Sequence, residues 1–267
     1  MSRRRTNGVG TKIYCFALLA FLFAPTIAIV VFAFDSSGRG TLPFESFTLK
    51  WFRQIFDDQV TVKAFQTSAI VGLTTAILAV VIGTLGAYAM YRRRTRTGQA
   101  IVAAAALPLA FPYLVLGISL LSMFHALGIK LSLMTVIVGH LLITLPAVLV
   151  TVNARFATFD PAIEEAAKDL GASPWRTFSA VTFPLIRPSV IGGGLLALAL
   201  SLEEFIVTLF TTGSDSTVPI VIWGQMRRGV SPTVNAISTV LLATTVLLVL
   251  LARQLTGASL SSKRLDE

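Results

Sequence analysis

Six apolar runs, at residues 13–34, 65–90, 101–124, 131–152, 190–210 and 234–251, are separated by segments that concentrate the charge, proline and glycine. Crossing a hydrocarbon core of about 30 Å takes about 20 helical residues. Each run meets or approaches that length, and the last can extend a turn at either end. Backbone in lipid must satisfy its own hydrogen bonds, so the runs predict helices. The fold class expected is all-α, a polytopic membrane protein of about six transmembrane helices. Two of the intervening segments are long. Residues 35–63 contain Trp51, Phe52, Ile55 and Phe56, a spacing that predicts a short amphipathic helix at the membrane surface. Residues 211–233 contain Gly213, Pro219, Gly224, Gly229 and Pro232, which predict a folded loop with a short helix over 221–228.

Composition sharpens this picture. Hydrophobic residues make up 54% of the 267 and charged residues 13%, against about 25% charged in ordinary soluble domains. The net charge of +9 raises the question of nucleic acid, but the basic residues flank the apolar runs instead of forming a patch. With the N-terminus placed inside, 15 of the 22 Lys and Arg fall on inner segments: Arg3, Arg4, Arg5, Lys12, Arg92, Arg93, Arg94, Arg96, Arg155, Lys168, Arg176, Arg187, Arg253, Lys263 and Arg264. That is the positive-inside bias, and six spans return the C-terminus to the same side. The first run is longer than the roughly 7–15 residues of a signal h-region and no A-x-A cleavage site follows it, so it reads as a retained anchor. Cys15 is the sole cysteine, which excludes an internal disulfide. The domain limits expected are a cytoplasmic tail over 1–12, a transmembrane domain over 13–256 and a second tail over 257–267.

The sharpest local signal lies between the fourth and fifth runs, over 159–187. Asp160 suits an N-cap and Pro161 the first helical position. Glu164 and Glu165 lie in the opening turns, where the helix dipole favours negative charge. Gly171 is a natural stop. Ser173 and Pro174 repeat the cap-and-proline start, and Pro184 and Pro188 are expected to end that unit. Two short helices with a tight bend follow, on the cytoplasmic face. Spacing by itself leaves an ordinary amphipathic loop as open as a functional one.

Glu165-Ala166-Ala167, then Gly171, then Val181-Thr182-Phe183-Pro184 resemble the EAA loop of ABC-importer permeases. In that pattern Glu-Ala-Ala is followed after three residues by Gly, and after nine more by Ile-x-Leu-Pro. Val181 and Phe183 are conservative departures. The resemblance implies the type I importer permease (MetI-like) fold and a non-enzymatic transport role. It makes Glu165, Ala166, Ala167, Gly171, Pro174, Trp175 and Pro184 the residues that couple to an ATPase, with Glu165 pairing to the ATPase or to the loop itself. The chain has no G-x-x-x-x-G-K-[ST] loop, so ATP and Mg would be bound by a partner and this chain would carry no cofactor, metal or catalytic residue. The partners implied are a second, related permease chain, two cytoplasmic ATPase subunits, an extracytoplasmic solute-binding protein and membrane lipid, in a bacterial inner membrane.

Ile118-Ser119-Leu120-Leu121, Gly139-His140, Leu145-Pro146 and Gly229-Val230-Ser231-Pro232-Thr233-Val234-Asn235-Ala236 extend the resemblance to the spermidine/putrescine-type permeases, across essentially the whole chain. That subfamily has paired acidic residues where Glu203 and Glu204 interrupt the fifth run. Intramembrane carboxylates are functional candidates, and a pair would stabilise a small cation such as a polyamine in low dielectric. The residues themselves leave two other readings open: one Glu bonding a neighbouring helix, or both facing water beyond an early helix end. Tyr113, after Pro112, stands where polyamine carriers tend to have an acid. It can stack on a cation, or it signals that the partner chain supplies the charge, or that another small organic solute is carried. A stand-alone secondary carrier is the further alternative. His140 favours a bond between helices, Pro108, Pro112 and Pro146 can kink theirs, and Gly192-Gly193-Gly194 favours close helix packing.

Overall fold

The computed structural model describes residues 8–93, 104, 107–229 and 231–261. Arg3, Arg4, Arg5, Arg94, Arg96, Val230, Lys263, Arg264 and most of residues 101–106 lie outside them. Ten helices follow along the described chain: α1 Gly8–Phe32, α2 Lys50–Asp57, α3 Gln59–Arg93, α4 Tyr113–Ala126, α5 Leu133–Ala157, α6 Pro161–Asp169, α7 Pro174–Glu203, α8 Ile206–Thr211, α9 Val218–Arg228 and α10 Pro232–Ser261. Among the described residues α1, α3, α5, α7 and α10 are long and apolar enough to cross a membrane, and α4 is a shorter apolar helix.

Two expected boundaries differ. The third run was expected as one helix over 101–124. In the described part a 3₁₀ turn, Leu107–Ala110, precedes Pro112, and the α-helix starts at Tyr113. Pro112 restricts the residue before it to extended backbone, which favours a break there. The fifth run, expected over 190–210, instead belongs to a helix that begins at Pro174, stops at Glu203 and resumes as α8. Pro184 and Pro188 do not end the unit after Ser173. A π-turn over Phe178–Thr182 ends one residue short of Pro184. Its wider hydrogen-bond ring relieves the clash between the proline ring and the preceding turn, so the helix continues.

The chain forms two compact units. In the one made of the described residues up to Val62 together with Ile222–Val240, α1 leads into a short loop closed by an antiparallel bridge between Asp35 and Phe47. The buried Asp35 carboxylate accepts from the Ser37 hydroxyl and from the Glu45 N–H at 3.1 Å. The Ser37 bond chiefly holds that carboxyl below the usual range against burial, which raises it. Trp51 Nε1 donates to the Asp35 carbonyl at 2.7 Å, and Phe34 packs between Phe47 and Phe52 with ring centroids 5.2 and 4.9 Å away. These contacts seat α2 against the loop, as its amphipathic spacing predicts.

In the other unit, Lys63–Val221 with the described residues from Leu241 onward, α5 packs along α7. Their interface includes Val148, Val152, Phe156, Ile186, Val190 and Ala197. The glycine triplet explains how so many helices converge. A Cβ on Gly192 would stand 2.5 Å from Thr256 of α10, one on Gly193 would be 3.5 Å from Val148 of α5, and one on Gly194 would be 2.8 Å from Val80 of α3. Three successive positions turn about 100° apart on a helix, so each glycine admits a different neighbour. Packing of this kind substitutes in lipid for the hydrophobic driving force available in water.

Candidate functional site

Two places bring the singled-out residues together, both within the larger unit. The first is the elbow over 159–187. Asp160 caps α6, accepting from the Ala162 N–H at 3.0 Å, and Ser173 caps α7, accepting from the Arg176 N–H at 3.3 Å. Between them Gly171 has φ of +83°, the left-handed conformation that a tight reversal needs. Glu165, Ala166, Gly171, Pro174 and Pro184 are exposed, and Ala167 is partly buried. Trp175 is 74% and Leu170 89% exposed, a bare surface on an element that is otherwise well capped. Trp175 and Pro174 also edge an open groove of about 320 Å³, lined further by Leu85, Tyr88, Arg92 and Phe178. Beneath lies an aromatic cluster: Tyr91 stacks on Phe156 at 4.7 Å and Tyr88 meets Phe178 at 4.8 Å.

Glu165 points outward, and it is its neighbour Glu164 that pairs within the structure. Glu164 is the buried residue of α6. Its carboxylate accepts from Thr182 Oγ1 at 2.5 Å and from Arg92 Nη1 at 3.4 Å. The sequence hides this choice, because both glutamates suit the opening turns and only the packing of α6 selects the one facing inward.

The second place is the break between α7 and α8. Glu203 is exposed at the end of α7, whereas Glu204 is buried with extended backbone, φ −70° and ψ 116°. Glu204 Oε1 accepts from the Val207 N–H at 2.7 Å, and its carbonyl accepts from Thr208 Oγ1 at 3.0 Å. The two adjacent carboxylates therefore differ: one fastens the restart of the helix, and the other is presented. α4 packs on α8 through Gly117, where a Cβ would stand 2.8 Å from the Phe210 ring. Tyr113 lies one turn before Gly117, exposed and within electrostatic reach of the Glu204 carboxylate.

His140 of α5 closes the break. It is buried, with Nδ1 2.7 Å from Ser201 Oγ of α7 and Nε2 2.7 Å from Thr208 Oγ1 of α8. Because the Thr208 hydroxyl donates to the Glu204 carbonyl, it accepts from His140. Nε2 is then the protonated nitrogen, and in the neutral ring Nδ1 accepts from the Ser201 hydroxyl. This is the helix-to-helix bond expected of a lone intramembrane histidine, made to both sides of an interruption. Ser201 and Thr208 carried no sequence signal beyond being polar in an apolar run. Replacing His140 with Phe is expected to destabilise the purified protein by about 1–2 kcal/mol, read as a lower melting temperature in detergent. An unaltered melting curve would remove the clamp.

Among the described residues no cluster of His, Cys, Asp or Glu has the makings of a metal site.

Residues 79–259 match the family described as the inner membrane component of binding-protein-dependent transport systems. Over 235 residues the chain is 36% identical to the spermidine/putrescine transport system permease protein PotC of Escherichia coli (strain K12), covering 88% of this chain and 89% of that protein. It is 32% identical over 230 residues to the putrescine transport system permease protein PotI of the same strain, covering 83% and 82%. Among solved structures it is similar to a chain of a bacterial ABC transporter involved in the import of the acidic polysaccharide alginate, with TM-score 0.66, 14% identity and coverage of 93% and 96%. A chain of the inward-facing MetNI methionine ABC transporter gives TM-score 0.62 at 17% identity, covering 75% and 96%. At those identities the structural likeness is one of fold.

Proposed function

Given that the chain belongs to the family of inner membrane components of binding-protein-dependent transport systems, we propose that it lines the path of a small organic cation of the polyamine class. The observation that carries this reading is the interrupted helix at Glu203 and Glu204, where one carboxylate is committed to the fold and its neighbour is left to meet a cation. Half-helices and unwound backbone at a break are the usual way a transport path is built inside a bundle. The relatives named for spermidine and putrescine share the chain over most of its length, which supports a polyamine over the alginate or methionine of the fold neighbours. Tyr113 adds an aromatic face to the same region and no charge, which fits a partner permease contributing further acid.

In this reading the elbow over 159–187 docks on a separate ATPase through Ala166, Gly171 and Trp175, which the fold leaves exposed, with the partly buried Ala167 beside them. Closure of two ATPase subunits rocks the two permease chains between inward-open and outward-open states. ATP and Mg belong to those subunits. Both chain ends lie on the cytoplasmic side, with the elbow.

The test is reconstitution into liposomes of this chain with its partner permease, two ATPase subunits and the soluble receptor. Spermidine uptake is expected to require all of these and ATP. Ion-gradient uptake by this chain without ATP would overturn the assignment, and ATP-driven uptake of a neutral solute with none of spermidine would overturn the cargo.

A further inference from the structure

α6 has nine residues, too few to be stable as an isolated helix. It joins α7 through Gly171, around which a Cβ would meet no atom within 4 Å. Its buried residue is a carboxylate, Glu164, at 3% exposure. An apolar anchor would have been the ordinary choice for seating a short helix on a bundle. A buried charge requires specific partners in specific places, and here both are supplied by other elements.

Arg92 reaches Glu164 Oε2 from the last turn of α3, with its guanidinium 6.0 Å from the Tyr88 ring. Thr182, fully buried, donates to Oε1 from the π-turn of α7. One carboxylate thus touches the surface helix and two of the long apolar helices at once. Of these partners, Thr182 sits at the π-turn, where an α-helix most readily changes register. Arg155 Nε of α5 donates to the Leu185 carbonyl at 3.2 Å, so the segment just beyond the π-turn is held independently of Glu164.

We propose that Glu164, Arg92 and Thr182 form a strut that delivers displacement of α6 to α3 and to the π-turn of α7. Glu164 is in this sense a positioning residue for transport, distinct from the exposed docking surface beside it. A greasy contact would let α6 slide over the bundle, whereas a buried carboxylate with two directional bonds, one to the partly exposed Arg92 and one to the buried Thr182, ties it to fixed atoms. The inference rests on the reading of the elbow as the ATPase dock.

The experiment uses the full reconstituted complex and reads spermidine transported per ATP hydrolysed, together with cross-linking from Ala166→Cys to the ATPase subunits. Glu164→Gln and Arg92→Met are each expected to lower transport per ATP at least fivefold, while receptor-stimulated hydrolysis stays within twofold and the cross-link persists. Arg92→Lys, which keeps the charge, is expected to stay near the parent ratio. Thr182→Val removes one hydrogen bond without creating an unpaired charge, and is expected to lower the ratio about twofold, which keeps the test alive if the charge variants fail to assemble. Uptake and hydrolysis falling together at a constant ratio would make the strut a stability element and overturn the proposal. A cross-link absent from the parent elbow would overturn the docking reading and the strut with it. A cross-link that forms while Thr182→Val and the charge variants keep the parent ratio would overturn the strut only.

Discussion

Glu203→Gln is expected to reduce ATP-driven spermidine uptake by roughly thirty-fold or more, the equivalent of the about 2 kcal/mol lost when one partner of a desolvated charge pair is removed. Glutamine keeps the shape and removes the charge, so the deficit reports the attraction for the cation. Glu204→Gln is expected to cost much less, because a glutamine carbonyl oxygen can still accept from the Val207 N–H that Glu204 holds at 2.7 Å. Glu204→Ala leaves that buried donor unpaired, a loss of about 1–3 kcal/mol, and is expected to show first as poor assembly. The measurement is initial uptake rate against spermidine concentration in proteoliposomes, with ATPase rate in parallel. Equal behaviour of Glu203→Gln and the parent would take Glu203 out of the path, and a double Gln variant with parental affinity and rate would take out both.

At Gly171 the expected loss has a different origin. The backbone there stands at φ +83°, and the space around the missing Cβ is open. A side chain would meet no neighbour, so the effect of substitution is conformational. Gly171→Val puts a β-branched residue into the left-handed region, with a strain of about 1–2 kcal/mol. Relief of that strain would swing α6 away from the start of α7. Uptake is expected to fall at least tenfold while the chain still reaches the membrane. Gly171→Asn is the control, because asparagine tolerates the left-handed region, and it should retain most of the activity. If valine and asparagine variants transport alike, the bend does not depend on the backbone conformation that the structure gives it.

Some of this was legible in the chain itself. Lipid imposes length and apolarity on any spanning helix, so α1, α3, α5 and α10 follow from the runs. Capping chemistry is local, so Asp160 with Pro161 and Ser173 with Pro174 marked the starts of α6 and α7 correctly. Gly171 was readable as a stop because few other residues reverse a chain so tightly. The glycine triplet announced close packing, though not which helices would arrive. The fifth span was misplaced for a physical reason: apolarity continues through Pro174–Glu203 and on to Thr211, while the events that divide it are tertiary. The π-turn that lets Pro184 pass and the His140 bonds that hold the break both depend on neighbouring segments. So does the division of labour in each acidic pair. Glu164 and Glu165 are alike in composition and position, as are Glu203 and Glu204, and a helix turns its successive side chains to different faces. Which side chain is buried is decided by what meets it there: Arg92 and Thr182 in one case, the Val207 N–H in the other. The sequence determined that this protein is a bundle of membrane helices with an elbow and two acidic pairs. Only the tertiary structure decided which acid of each pair serves the fold and which is left for a partner, because burial is a property of neighbours brought together by folding.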